Sequence, residues 1–219
     1  MNLICTMMAA AVFSFGACTP EDTNVSQAPE TGNPSTPGET NPDTPDNPDT
    51  PEQPGDDTPS SGTKTLVAYF SWGGTTQRMA QEIVSQTGAD IFRIEPATPY
   101  PTSYTPCTEV ALEEKNSNAR PAIASRVENW ADYDTVFIGC PVWWWTTPMI
   151  ICTFAESYDF KGKTVIPFCT YASTYRDETL ARIVELTPDA AHLEGEGLTS
   201  GRISAQTVRT WLRNIGLVK

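Results

Sequence analysis

Four short apolar runs, Thr65–Phe70, Asp90–Glu95, Asp134–Cys140 and Lys163–Cys169, recur along the C-terminal part of the chain, and a weaker fifth covers Ala191–Leu198. Each is rich in β-branched or aromatic residues and shows little polar alternation. That is the pattern of strands covered on both faces. Between them, apolar positions return at helical spacing over Thr75–Gln86, roughly Thr108–Asn116, Pro148–Tyr158, Glu178–Leu186 and Ser204–Leu217. Strand and helix alternate, which predicts a doubly wound α/β fold around a five-stranded parallel sheet.

The pattern stops upstream of residue 63. From Thr19 to Gly62 there are ten prolines, ten Asp or Glu and no Lys or Arg, whereas residues 63–219 hold 17 acidic and 14 basic residues. Ten of the 13 net negative charges therefore lie in the Pro-rich stretch. The remainder is mildly acidic and lacks the basic surface that nucleic acid requires. The Pro-rich stretch has too few apolar residues to offset the entropy of ordering. Its prolines favour extended polyproline II, and its 44 residues at ~3.1 Å each would reach roughly 140 Å. Ahead of it, the apolar run Leu3 to Ala17 ends in Phe15-Gly16-Ala17-Cys18. Small residues before a Cys fit a bacterial lipoprotein signal, cut so that Cys18 carries the lipids; the run is too short to stay as a membrane span. The expected organisation is a signal segment (1–18), an acidic tether (19–62) and a domain (63–219). The protein would then sit in the bacterial envelope, lipid-anchored at the outer membrane on its periplasmic or outer side, and touch the membrane only through that anchor.

In a doubly wound sheet, ligands bind beyond the carboxyl ends of the strands. Three loops fall there. Ser71–Thr76 joins the first strand to a helix, whose N-terminus presents free N–H groups and the positive end of a dipole. Gly73 and Gly74 let the backbone come close to a ligand, and Ser71, Thr75 and Thr76 carry hydroxyls. There is neither a Walker lysine nor the third glycine of a dinucleotide turn. The loop reads either as a phosphate cradle without a cation or as an ordinary Gly-rich turn. The second loop, Pro141–Pro148, reads PVWWWTTP; Val142, Trp143, Trp144 and Trp145 could wall a flat ligand, or two of the indoles could pack inward with one exposed. The third, Thr170–Arg176, offers Tyr171 and Tyr175 for the opposite side.

These stretches resemble the flavodoxin family: LVAYFSWGGTTQRMA at the first loop, IFRIEPATPYPTSY after it, and YDTVFIGCPVWWWTTPMIICTFAESYDFKGKTVIPFCTYAS, followed by a closing amphipathic helix. The likeness is greatest to a flavodoxin-like branch of Bacteroidetes-type bacteria that includes lipoproteins. It implies a strand order 2-1-3-4-5 and one non-covalent FMN moving one or two electrons. The acceptor would be a redox partner protein or a small molecule such as a quinone. By position, the resemblance places Ser71, Gly74, Thr75 and Thr76 on the phosphate. It places Pro141, Trp143 and Trp144 along one side of the ring, and Thr170, Tyr171 and Ser173 at its edge and other face. The sequence departs from the family pattern at Gly73, Trp145 and Tyr171–Tyr175. Those departures support an alternative, a flavodoxin-fold binding module with weakened or lost FMN affinity.

Other chemistry is sparse. The single histidine, His192, lies by the fifth strand, away from Ser71, and reads as structural. No His/Cys cluster has metal spacing. Glu113-Glu114 and Glu194/Glu196 read as solvated faces. Arg176 is expected at the site rim, as a contact for an anionic partner or as a helix-start residue. In the family's strand order Cys140 and Cys169 fall at the same level of neighbouring strands, either as two buried thiols or as a disulfide beside the flavin.

Overall fold

The structure, a computed structural model, describes residues 64–219. The signal segment, the tether and Cys18 lie outside the described residues. Six strands and five α-helices alternate: β1 (Lys64–Tyr69), α1 (Thr75–Thr87), β2 (Asp90–Arg93), α2 (Tyr104–Asn116), β3 (Tyr133–Pro141), α3 (Met149–Glu156), β4 (Thr164–Thr170), α4 (Arg176–Leu186), β5 (Ala191–His192), β6 (Glu196–Leu198) and α5 (Ala205–Asn214). All pairings are parallel, in the order β2-β1-β3-β4-β5, with β6 also on β4. This is the doubly wound 2-1-3-4-5 sheet expected from the resemblance. None of the described helices is long and apolar enough to cross a membrane.

Both faces of the sheet are covered, which explains the unalternated runs. Successive residues of a strand point to opposite faces. Leu66, Ala68, Val136 and Ile138 pack with Ile150, Ile151 and Phe154 of α3, while Val67, Phe137, Ile166 and Phe168 pack with Met79 and Ile83 of α1 and Val208 and Leu212 of α5. At Gly139, a β-carbon would lie 2.0 Å from the Phe168 ring, so only glycine fits there.

Two elements differ from the sequence expectation. α2 begins at Tyr104, not near Thr108, and takes Pro106 into its first turn, where a missing N–H breaks no helical bond. The fifth strand, expected as one run over Ala191–Leu198, is two short pieces. Val165 pairs with His192 and Phe168 with Glu196, an offset of 27 and then 28 residues, so one extra residue is inserted between them. The break lies opposite Pro167, which has no N–H to donate to a ladder.

Candidate functional site

The loops leaving β1, β3, β4 and β6 meet at the carboxyl edge of the sheet. The first of them leads into α1. Gly74, at φ 82, precedes the helix and provides no side-chain cap. The N–H groups of Thr75, Thr76 and Gln77 in the first turn therefore have no intrahelical acceptor and lie at the positive end of the dipole. The Ser71 hydroxyl accepts the Gly74 N–H at 3.1 Å and folds the loop back on itself, keeping its own proton to donate. The buried hydroxyls of Thr76 and Thr170 share a 2.7 Å hydrogen bond, tying this loop to the end of β4. Gly73 has ordinary backbone, and no atom lies within 4 Å of where its β-carbon would stand. Neither backbone strain nor packing within the protein calls for glycine at 73; the space beside it is open.

The second loop is a tight turn. Trp143 and Thr146 exchange N–H···O bonds of 3.0 and 3.1 Å, with Trp144 at φ 45 and Trp145 at φ 72 between them. Two positive φ values mark the turn type that suits glycine or asparagine, and a bulky L-residue there costs roughly 1–2 kcal/mol. The result is that three consecutive indoles diverge. Trp143 turns inward, edge-on to Phe70 (5.2 Å) and Tyr100 (5.1 Å). Tyr100 is fixed in turn by donating to Glu114 at 2.8 Å; burial, with this bond second, pushes its phenol pKa far up. Trp144 donates its indole N–H to the Thr108 carbonyl of α2 at 2.8 Å. Trp145 is exposed, 5.9 Å from the Tyr175 ring across the mouth, with Lys115 Nζ 4.6 Å from its own ring.

Two adjoining clefts result. One, of about 510 Å³, is lined by Ser71, Gly73, Thr75, Thr76, Pro141, Val142, Trp143, Thr170 and Tyr171, and none of its lining residues is basic. Gly74, between Gly73 and the first helical turn, is not among the residues that line it. The other, of about 370 Å³, shares Val142 and Trp143 and holds Trp144, Trp145 and Ser173. The single aromatic wall expected from the sequence is thus split between two cavities. The sequence reading missed Trp72 and Tyr104, which line both clefts, and Thr199, Ser200 and Gly201, which line the first. Thr199-Ser200-Gly201 follows the last strand at its carboxyl end, so the rule that found the other loops would have found this one.

Cys140 and Cys169 do stand level on β3 and β4, as free, fully buried thiols. Burial holds the Cys140 pKa well above the ordinary thiol value and pushes Cys169 up to about 12, so both stay protonated at neutral pH. Arg176 is paired with Glu196 at 3.0 Å and with Asp177. His192 bonds Thr187 at 2.9 Å, on β5. Among the described residues, no group of His, Cys, Asp and Glu could hold a metal ion.

The family model for Flavodoxin matches residues 64–215. This chain belongs to the flavodoxin family. A candidate flavoprotein from Bacteroides eggerthii is 37% identical, with a TM-score of 0.62 over 72% of this flavodoxin and 100% of that chain. One from Bacteroides uniformis is also 37% identical, with a TM-score of 0.62 over 69% of this chain and 99% of that one. A flavoprotein from Lactobacillus acidophilus, solved in complex with FMN, shares the fold at 23% identity and a TM-score of 0.57, covering 62% of this chain and 93% of that one. No curated protein matches this flavodoxin significantly.

Proposed function

We propose that this flavodoxin binds one FMN non-covalently in the larger cleft and transfers electrons through it, as a carrier or as a reductase. The observation that carries the reading is the open space at Gly73, beside a helix N-terminus whose first N–H groups lack acceptors. Neutral donors at a dipole's positive end suit a phosphate without a basic residue. Ser71, Gly74, Thr75 and Thr76 would hold that phosphate. Pro141, Val142 and Trp143 would line one side of the ring, with Thr170 and Tyr171 at its edge. The bound flavin would supply one- or two-electron chemistry at its ring. The FMN complex of the Lactobacillus relative supports this choice of cofactor.

The electron acceptor in this reading is a redox partner protein or a small molecule such as a quinone. The domain works in the cell envelope, held by a lipid on Cys18 and set off from the membrane by the acidic tether. Cys18→Ser should then move the protein out of the membrane fraction; unchanged fractionation, with no lipid label on the parent, refutes the anchor.

The cofactor is tested by titrating the protein with FMN and with riboflavin, which lacks the phosphate, and following the quenching of flavin fluorescence. Gly73→Asp places a carboxylate in open space at the phosphate seat. FMN affinity should fall roughly tenfold or more from like-charge repulsion, with riboflavin affinity unchanged. Equal losses for both ligands, or none, would refute the phosphate assignment. Failure of the parent to bind FMN at all would favour a flavodoxin-fold binding module.

A further inference from the structure

The larger cleft has a further wall, Thr199-Ser200-Gly201, on the connection that joins β6 to α5. Like Gly73, Gly201 has ordinary backbone and no atom within 4 Å of where its β-carbon would stand, so this wall also faces open space. Little within the connection holds it in place. The Arg202 N–H donates to the Thr199 carbonyl at 2.9 Å, and Ile203 packs against the core. Among the described residues, one tertiary hydrogen bond reaches residues 199–203, and it comes from α1. Arg78 donates a guanidinium N–H to the Ser200 carbonyl at 2.5 Å, across 122 positions of sequence. Further along α1, Gln86 donates to the Ala205 carbonyl at 2.8 Å, so the same helix holds both ends of the connection.

Arg78 is the fourth residue of α1, and its own backbone N–H bonds the Gly74 carbonyl. It thus belongs to the helix whose first N–H groups lack acceptors, and its side chain ties that helix to a wall built by another element. Arg78 does not itself line the cleft. It has no carboxylate partner among the described residues, so no ion pair neutralises its charge. A guanidinium is always charged and carries five N–H donors in a planar fork, which can grip a carbonyl without losing that charge. A cation behind a cleft wall still acts on an anion inside it, over a range of roughly 8–10 Å at moderate salt.

We propose that Arg78 is a positioning residue for the larger cleft. It fastens the Thr199–Gly201 wall to α1, and its charge, one hydrogen bond removed from the cleft, favours an anionic ligand without touching it. This inference rests on the reading of the cleft as the seat of a phosphate-bearing ligand.

Two variants separate fastening from charge. Arg78→Met removes the donors and the charge but keeps an unbranched apolar stem; Arg78→Lys keeps the charge and an ammonium donor. Release of FMN and of riboflavin is timed by the recovery of flavin fluorescence on dilution. Arg78→Met should release FMN about threefold to tenfold faster than the parent and riboflavin less than about twofold faster. The difference should shrink in about 1 M salt, where screening acts within ~3 Å. Arg78→Lys should restore most of the FMN retention. In the flavin-free protein, hydrogen exchange of the amides of residues 199–203 should be faster in Arg78→Met, with the urea midpoint unchanged. Parent-like FMN release in Arg78→Met would overturn the proposal, as would equal acceleration for both flavins, or a lowered urea midpoint that accounts for the loss. If the parent binds neither flavin, the flavin reading is refuted, and exchange measured with and without inorganic phosphate decides this inference alone. Slowing by phosphate in the parent but not in Arg78→Met would uphold it, and the same response in both would overturn it.

Discussion

The contact between Thr76 and Thr170 joins the start of α1 to the end of β4, and its contribution can be worked out. The two hydroxyl oxygens are 2.7 Å apart and both residues are buried, 1% and 4% exposed. Valine nearly matches threonine in shape, so Thr76→Val removes the bond without opening a cavity. It leaves the Thr170 hydroxyl buried and unpaired, at a cost of about 1–3 kcal/mol. Thr170→Val does the same to Thr76. The double variant removes both needs together and should be nearly neutral. With each single variant losing about 1.5 kcal/mol and the double almost nothing, the coupling in the double-mutant cycle should be about 3 kcal/mol, in favour of the double variant. Urea unfolding of the flavin-free protein, followed by tryptophan fluorescence, reads this directly. With a slope of about 1–3 kcal/mol/M, a loss of about 1.5 kcal/mol lowers the midpoint by roughly 0.5–1.5 M. Single variants that unfold with the parent, or a double variant that loses the sum of the two, would refute the reasoning.

Gly139→Ala should destabilise by about 3 kcal/mol, because its methyl would meet three Phe168 ring carbons at 2.0–2.4 Å; Phe168→Leu in the same chain should restore part of the midpoint, and equal midpoints for Gly139→Ala and parent would exclude the clash. Thr147→Val should stabilise by about 1 kcal/mol in the same assay, since the buried Thr147 hydroxyl has no partner; a loss would mean that the hydroxyl is bonded after all. For His192, burial lowers the pKa and the Thr187 bond raises it in part. A base with a depressed folded pKa contributes stability above its unfolded value, about 6.5, and that stability is lost as pH falls through the folded value. Stability should thus decline below about pH 6.5 by no more than about 1.4 kcal/mol per unit from this group, and His192→Asn should flatten the profile; identical profiles would remove His192 as the cause.

The strands of this flavodoxin were legible in the sequence because helices cover both faces of the sheet, so that nearly every position in β1, β3 and β4 had to be apolar. The loops were legible because each follows such a strand. What escaped depends on neighbours far away in sequence. The break between β5 and β6 answers to Pro167, which stands on another strand. The start of α2 was hidden by Pro106, which reads as a helix breaker until it is known to lie in the first turn. The division of the three indoles follows from positive φ at Trp144 and Trp145. Such values are expected of glycine, so no periodicity could announce them. The hydroxyl of Thr76 reads from the sequence as a free donor; its bond to Thr170 joins residues 94 positions apart.

The broken outer strand also bears on how copies of this protein meet. A sheet edge with a continuous row of free N–H and C=O groups invites a strand from a neighbour. Here β5 has two residues and β6 three, out of step with each other by one. An incoming strand in register with the first would be out of register with the second. The opposite edge, β2, is four residues long and carries Asp90 and Arg93 at its ends, so it too gives little length and adds charge. Among the described residues both outer strands of the sheet are thus short, which limits the ladder along which crowded copies could grow into a fibre.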